Sequence, residues 1–274
     1  MSACATSGFS TKNASVAYFN SPMIDTILIF AMATAGIHFG LIYATVTGKR
    51  SNIFRSEVTR WYLGMLFAGG LLIAVSLYAA DIYPAFTSAF RHGLFQFVSV
   101  VTTTGFATAD SNQWTSFAVI LLIFGSIVCA CAGSTAGGIK TTTMAILLLT
   151  CAAVIRGRKS TECFGRRLAE SNVRSGIAIV FLTFAIWLTG LFGLAVLEPD
   201  ERFIDLMYEA TSAIGTVGLS ADLTPSLTRG SHVILMILMY VGRIGPITMA
   251  LVFAGREDMQ AKFRDLPEKR IMLG

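Results

Sequence analysis

Thr103-Thr104-Gly105-Phe106-Ala107-Thr108 lies between two apolar runs, and the chain carries two further versions of it, Thr6-Ser7-Gly8-Phe9-Ser10-Thr11 and Thr216-Val217-Gly218-Leu219-Ser220-Ala221. Each sets a hydroxyl-bearing or β-branched pair before one glycine. Each then continues with an apolar residue and small residues, and leads after a short polar stretch into a long apolar run. A dehydrated monovalent cation needs several oxygens around it. Backbone carbonyls supply them where an extended chain with a permissive glycine turns successive carbonyls the same way. One Thr-Thr-Gly-Phe is an ordinary turn. Three copies, each ahead of an apolar segment, form a repeat, and a repeated glycine loop between hydrophobic segments is what a carbonyl-lined pore requires.

The composition around these loops is that of a membrane protein. Hydrophobic residues make up 54% of the 274-residue chain and charged residues 14%, where a soluble domain carries about a quarter charged. Mean hydropathy is +0.67. Apolar runs occupy 24–46, 61–80, 117–131, 139–155, 176–197 and 233–254, and crossing a hydrocarbon core takes roughly 20 residues. The third and fourth runs are short and are parted only by residues 132–138, so they read as one spanning helix broken in the middle.

Charge placement orients the runs. Lys49, Arg50, Arg55 and Arg60 form one basic segment, residues 156–174 a second, and the tail after Ala254 a third. The alternate segments are acidic, with Asp81, Asp110, Glu198, Asp200, Glu201, Asp205, Glu209 and Asp222. Lys and Arg favour cytoplasmic loops, so the net charge of +5 reflects topology and not a nucleic-acid footprint. This orientation makes residues 84–101 and 203–213 re-entrant helices, each ending at a glycine loop. Irregular backbone at membrane depth is tolerated where it lines a water-filled path or is buried in protein. The chain thus reads as an all-α polytopic membrane protein of repeated helix–pore-loop–helix units. It holds the end of one unit (1–50), a whole unit with a broken returning helix (51–158) and a second whole unit with its tail (159–274).

Other motifs carry less chemistry. Gly133-Ser134-Thr135-Ala136-Gly137-Gly138-Ile139-Lys140-Thr141 superficially resembles a phosphate loop. However, Ile139 separates Gly138 from Lys140 where that motif needs Gly-Lys-Ser/Thr. An unwound hinge in a pore-lining helix fits better, with small-residue helix packing as the alternative. Lys140 and Arg243 are cations in apolar surroundings, which usually face a cavity or a partner. Lys140 is expected to snorkel toward the cytoplasm. Arg243, mid-run, is either a barrier to cations or a hydrogen-bond donor to broken-helix carbonyls, and the 133–138 carbonyls are its candidate partners. The five cysteines sit in apolar or cytoplasmic surroundings and read as small hydrophobes. His38, His92 and His232 are scattered and make no metal set, and the acids on the outer side are expected to be solvated. With no nucleophile, base and metal converging, an enzyme is not expected.

The three glycine loops, with Tyr18-Phe19-Asn20-Ser21-Pro22, Cys131-Ala132-Gly133-Ser134-Thr135-Ala136-Gly137-Gly138-Ile139-Lys140 and Gly242-Arg243-Ile244-Gly245-Pro246, resemble the TrkH-type subunits of the Trk/Ktr/HKT potassium uptake family in order and spacing. The resemblance covers essentially the whole chain. It implies one pseudo-fourfold pore built from four such units, of which this chain holds the end of the second and all of the third and fourth. It also implies K⁺ coordination by Thr6, Ser7 and Gly8, by Thr103, Thr104 and Gly105, and by Thr216, Val217 and Gly218. Glycine at all three filter positions resembles the potassium-selective members. Residues 133–138 with Lys140 would be an intramembrane gate and Arg243 a pore arginine. A homodimer in the bacterial inner membrane is implied, with a cytosolic TrkA-type regulatory partner that binds the nucleotide. No cofactor is expected in this chain, and K⁺ is the transported ion. Residues 1–20, with no pore helix before them, are expected to be poorly ordered. The alternative is a non-conducting membrane fragment or scaffold that associates with a full-length relative.

Overall fold

The computed structural model describes residues 1–48, 53, 56–158, 162–163, 166–245 and 248. Lys49, Arg50, Arg55, Lys159, the end of the expected 233–254 run and the basic tail lie outside the described residues. The helices are α1 (Pro22–Ala35), α2 (Phe39–Val46), α3 (Glu57–Ala79), α4 (Phe86–Val101), α5 (Ser116–Ile127), α6 (Thr141–Ile155), α7 (Glu170–Leu197), α8 (Phe203–Gly215) and α9 (Arg229–Ile244). Among the described residues four two-residue strands accompany them: β1 (Val128–Cys129), β2 (Ile139–Lys140), β3 (Glu162–Cys163) and β4 (Arg166–Arg167). Local chemistry sets the helix starts. Pro22 opens α1, where its fixed φ suits the first turn. The side chains of Ser56, Thr115 and Thr228 accept the backbone N–H of Thr59, Ala118 and Ser231, caps that contribute about 1 kcal/mol each.

The molecule is an all-α membrane protein. Among the described residues α3 and α7, at 23 and 28 residues, are each long and apolar enough to cross a membrane. Large apolar side chains such as Phe67, Phe181 and Phe192 stand exposed on the outer surface, as a hydrocarbon solvent demands. The short helices α4 and α8 lie inside. Helix α4 packs along α3 and against α1 and α5, and α8 packs against α5, α7 and α9.

The expected 24–46 run is not one straight helix, because α1 and α2 meet at an angle of 100°. Thr34 Oγ1 donates back to the carbonyls of Phe30 and Ala31 in the last turn of α1, a bond that bends helices. Tyr62 Oη donates to Ala33 O at 3.2 Å. At Gly36 a Cβ would lie 2.1 Å from that phenolic oxygen, so only glycine fits the corner. The backbone groups freed there bond to the other break in the chain. Cys131 N donates to Gly36 O and Phe39 N to Gly133 O, both at 3.1 Å.

One further expectation changes. Residues 1–20 follow a definite course: Ala17 N donates to Ala107 O at 3.0 Å, and Ala107 N donates to Ser15 Oγ at 3.2 Å. Arg243 lies in the last turn of α9. A cation is favourable there, against the negative end of the helix dipole.

Candidate ion pathway

The three glycine loops share one backbone conformation. Thr6, Thr103 and Thr216 have φ of 48°, 54° and 56°, and Gly8, Gly105 and Gly218 have φ of 69°, 79° and 81°. Thr103 N donates to Val100 O and Thr104 N to Ser99 O. Thr216 N donates to Ala213 O and Val217 N to Ser212 O, and Thr6 N and Ser7 N donate to Ala3 O and Ser2 O at the same offsets. These are the paired bonds of a Schellman motif, which normally places glycine in the left-handed position. Threonine is β-branched and adopts that conformation rarely and under strain. Three threonines strained alike keep a hydroxyl at this point of each loop.

The loops follow one another head to tail. A Cβ on Gly8 would lie 2.5 Å from Thr104 O, and one on Gly105 would lie 2.4 Å from Val217 O. Gly8 and Gly105 are thus each pressed against the carbonyl just before the next loop's glycine. Nothing lies within 4 Å of the corresponding position on Gly218.

The chain between α5 and α6 passes beneath these loops. It does not simply unwind as a hinge. Strands β1 and β2 pair in parallel, with Val128 opposite Ile139 and Cys129 opposite Lys140. The residues between them make an excursion with positive φ at Gly133 (76°) and Gly138 (59°). The excursion meets all three strained threonines. Thr6 Oγ1 donates to Thr135 O at 3.3 Å, and Gly137 N donates to Thr103 Oγ1 at 3.2 Å. A Cβ on Gly137 would fall 1.9 Å from Thr216 Oγ1, a buried hydroxyl oxygen with no hydrogen-bond partner. Ser134 Oγ donates to Cys131 O at 2.7 Å.

Both cations singled out in the sequence converge on this excursion. Arg243 Nη1 donates to Thr135 O at 3.0 Å. Lys140 does not snorkel away. Its ammonium turns back and donates to Ala136 O and, at 3.3 Å, to Gly137 O. A cavity of about 280 Å³ opens alongside, lined by Gly138, Lys140, Thr183, Ile214, Val241 and Gly242 among others.

One acid was misread from sequence and another was not singled out there. Glu209, grouped with the solvated outer acids, is buried within α8. Aligning the repeats on their glycines would have exposed it, since it stands at the same offset from Thr216 as the buried Gln96 from Thr103. Asp25, in an apolar run, is also buried and pairs with Arg91 of α4 at 2.6 Å. Among the described residues no cluster of His, Cys, Asp and Glu could hold a metal ion.

The TrkH family model, described as a cation transport protein, matches residues 1–262. The chain belongs to the TrkH family. Ktr system potassium uptake protein B of Bacillus subtilis is 27% identical over 257 residues, 91% of this chain and 57% of that protein. Potassium/sodium uptake protein NtpJ of Enterococcus hirae is 37% identical over 178 residues, 63% of this chain and 39% of that protein. The crystal structure of the potassium transporter TrkH from Vibrio parahaemolyticus superposes with a TM-score of 0.80 at 24% identity, over 92% of this chain and 56% of that one. This last likeness concerns the fold. The chain spans about half the length of the curated relatives it matches. Its family is one of transport proteins and not of enzymes.

Proposed function

We propose that this chain supplies three of the filter loops of a potassium uptake channel or transporter, together with its gate. The observation that carries the reading is the seating of all three strained threonines on one excursion, through Thr6 to Thr135, Thr103 to Gly137 and Thr216 against Gly137. Carbonyls at residues 6–8, 103–105 and 216–218 replace the water around K⁺. The free hydroxyl oxygen of Thr216 is a further oxygen at the same level. The ring is completed on the Gly218 side by a loop from a further segment.

In this reading the 133–138 excursion closes the path below the filter. Lys140 and Arg243 hold it there by donating to the carbonyls of residues 135–137. Hydrogen bonds to charged groups contribute about 1.5–3 kcal/mol each, enough to favour the closed position without locking it. Opening moves the excursion into the cavity beside Gly138 and Gly242. The protein is a multi-pass component of the bacterial inner membrane with its basic segments in the cytoplasm. It works as a homodimer with a TrkA-type cytosolic subunit that binds the regulatory nucleotide, and needs no cofactor of its own. Glycine at positions 8, 105 and 218 favours K⁺ over Na⁺.

The test is rescue of a potassium-uptake-deficient strain in low-potassium medium by the complete reading frame, with Gly105→Asp as the inactive control. Rescue is expected, and Arg243→Ala is expected to raise K⁺ flux. Membrane-inserted protein that never rescues would favour a non-conducting scaffold, and a folded Arg243→Ala with lower flux would overturn the gating role.

A further inference from the structure

Gln96 and Glu209 occupy one register position, seven residues before the strained threonines Thr103 and Thr216. Both are buried, and both reach past their glycine to the outer limb of the loop. Gln96 Nε2 donates to Ala109 O at 2.8 Å. Glu209 accepts more: Ala221 N donates to its Oε1 at 3.1 Å, Ser220 Oγ donates to the same oxygen, and Thr224 Oγ1 donates to Oε2 at 2.9 Å. A buried carboxylate is costly unless hydrogen bonds satisfy it, and here three donors from one short segment do so.

Among the described residues the third loop's outer limb rests on this clamp more than the second's does. The second loop's outer limb is also fixed by Ser99 Oγ donating to Phe106 O at 2.7 Å and by Ala107 bonding to Ser15 and Ala17 of the first. We propose that Glu209 is a positioning residue for ion selection. By holding Ser220, Ala221 and Thr224 it fixes the direction of the Thr216, Val217 and Gly218 carbonyls. The proposal rests on the reading of residues 216–218 as a filter loop.

Glutamine can keep the clamp, since its oxygen still accepts from Ala221 and Ser220 and its amide faces the Thr224 hydroxyl, which can accept instead. Alanine cannot. The experiment uses the full-length protein and two readouts. Hydrogen exchange of the purified protein reports on the 216–224 backbone. Uptake of K⁺ with and without competing Na⁺, at matched membrane abundance, reports on ion choice. Losing these buried bonds is expected to speed exchange within 216–224 and to lower the K⁺:Na⁺ preference by about tenfold each in Glu209→Ala, with Glu209→Gln within about twofold of the parent. Thr224→Val removes one donor and leaves the carboxylate. It is expected to shift both readouts the same way by about threefold, and it decides the matter if Glu209→Ala does not fold. Unchanged exchange, exchange that quickens with unaltered ion preference, or Glu209→Gln behaving as Glu209→Ala would each overturn the proposal. A parent protein that takes up no K⁺ overturns the filter reading itself and this proposal with it. That outcome is recognisable because the parent fails and not only the variant.

Discussion

At Gly105 two constraints meet: φ is +79°, and a Cβ would stand 2.4 Å from Val217 O. Gly218 has nearly the same φ, +81°, with open space where its Cβ would go, on the side where a further loop completes the proposed ring. Alanine in the left-handed region costs about 1–2 kcal/mol. Gly105→Ala must also push two neighbouring loops apart, and should abolish uptake while leaving membrane abundance near normal. Uptake rates paired with immunoblots of the membrane fraction check this, and a Gly105→Ala protein with parental uptake would sink it. The glycines were legible in the sequence because a repeated residue type at a repeated offset survives any ignorance of packing. The strained threonines before them were not. Sequence offers a hydroxyl at that point in each copy, but the left-handed φ that makes it costly emerges only with the Schellman bonds.

The breaks in two helices behave differently as elements. The break after α5 was readable because glycines cluster there and apolar length falls short on both sides. The corner between α1 and α2 was not, because 24–46 is predominantly apolar on both sides of it, and hydropathy records solvent preference and not direction. The corner involves a partner, Tyr62, which lies on α3. The two breaks are bonded to each other through Gly36–Cys131 and Phe39–Gly133, so the excursion is tied to α2 from one side and to the filter threonines from the other. Thr103→Val tests the filter side. It is nearly isosteric and leaves the Gly137 N–H, otherwise bonded to Thr103 Oγ1, without its acceptor. An unsatisfied buried donor costs about 1–3 kcal/mol, which falls on the closed position. Flux should rise about tenfold, and should rise less than additively when combined with Arg243→Ala, because both act on one excursion. Patch or flux measurements on the single and double variants check this, and a Thr103→Val protein with lower flux and unaltered selectivity would count against closure by this loop.

At the scale of the whole molecule, α5 packs against α3 and α4 on one side and against α8 on the other, and α6 packs against α7. A polar tie at the surface holds the end of α7 to the start of α9. Thr228 N donates to Glu198 Oε1 at 2.7 Å and Ser231 Oγ donates to the same oxygen at 2.6 Å. These bonds, the Ser231 hydroxyl first and the Thr228 backbone next, hold the Glu198 carboxyl below the usual carboxylate range. A depressed pKa in the folded state means that the unfolded chain binds the proton more readily. The contribution to stability is therefore fully present above the unfolded value of about 4.3, and is lost as pH falls through the lower folded value. Detergent-solubilised protein should lose thermal stability on acidification below about pH 4.5, and Glu198→Gln should lose less over the same interval while matching its own pH 7 value more closely. The carboxylate is at the surface, so the effect is modest and shrinks with added salt. A parallel pH dependence in the parent and Glu198→Gln would place the acid sensitivity elsewhere and overturn this role for Glu198.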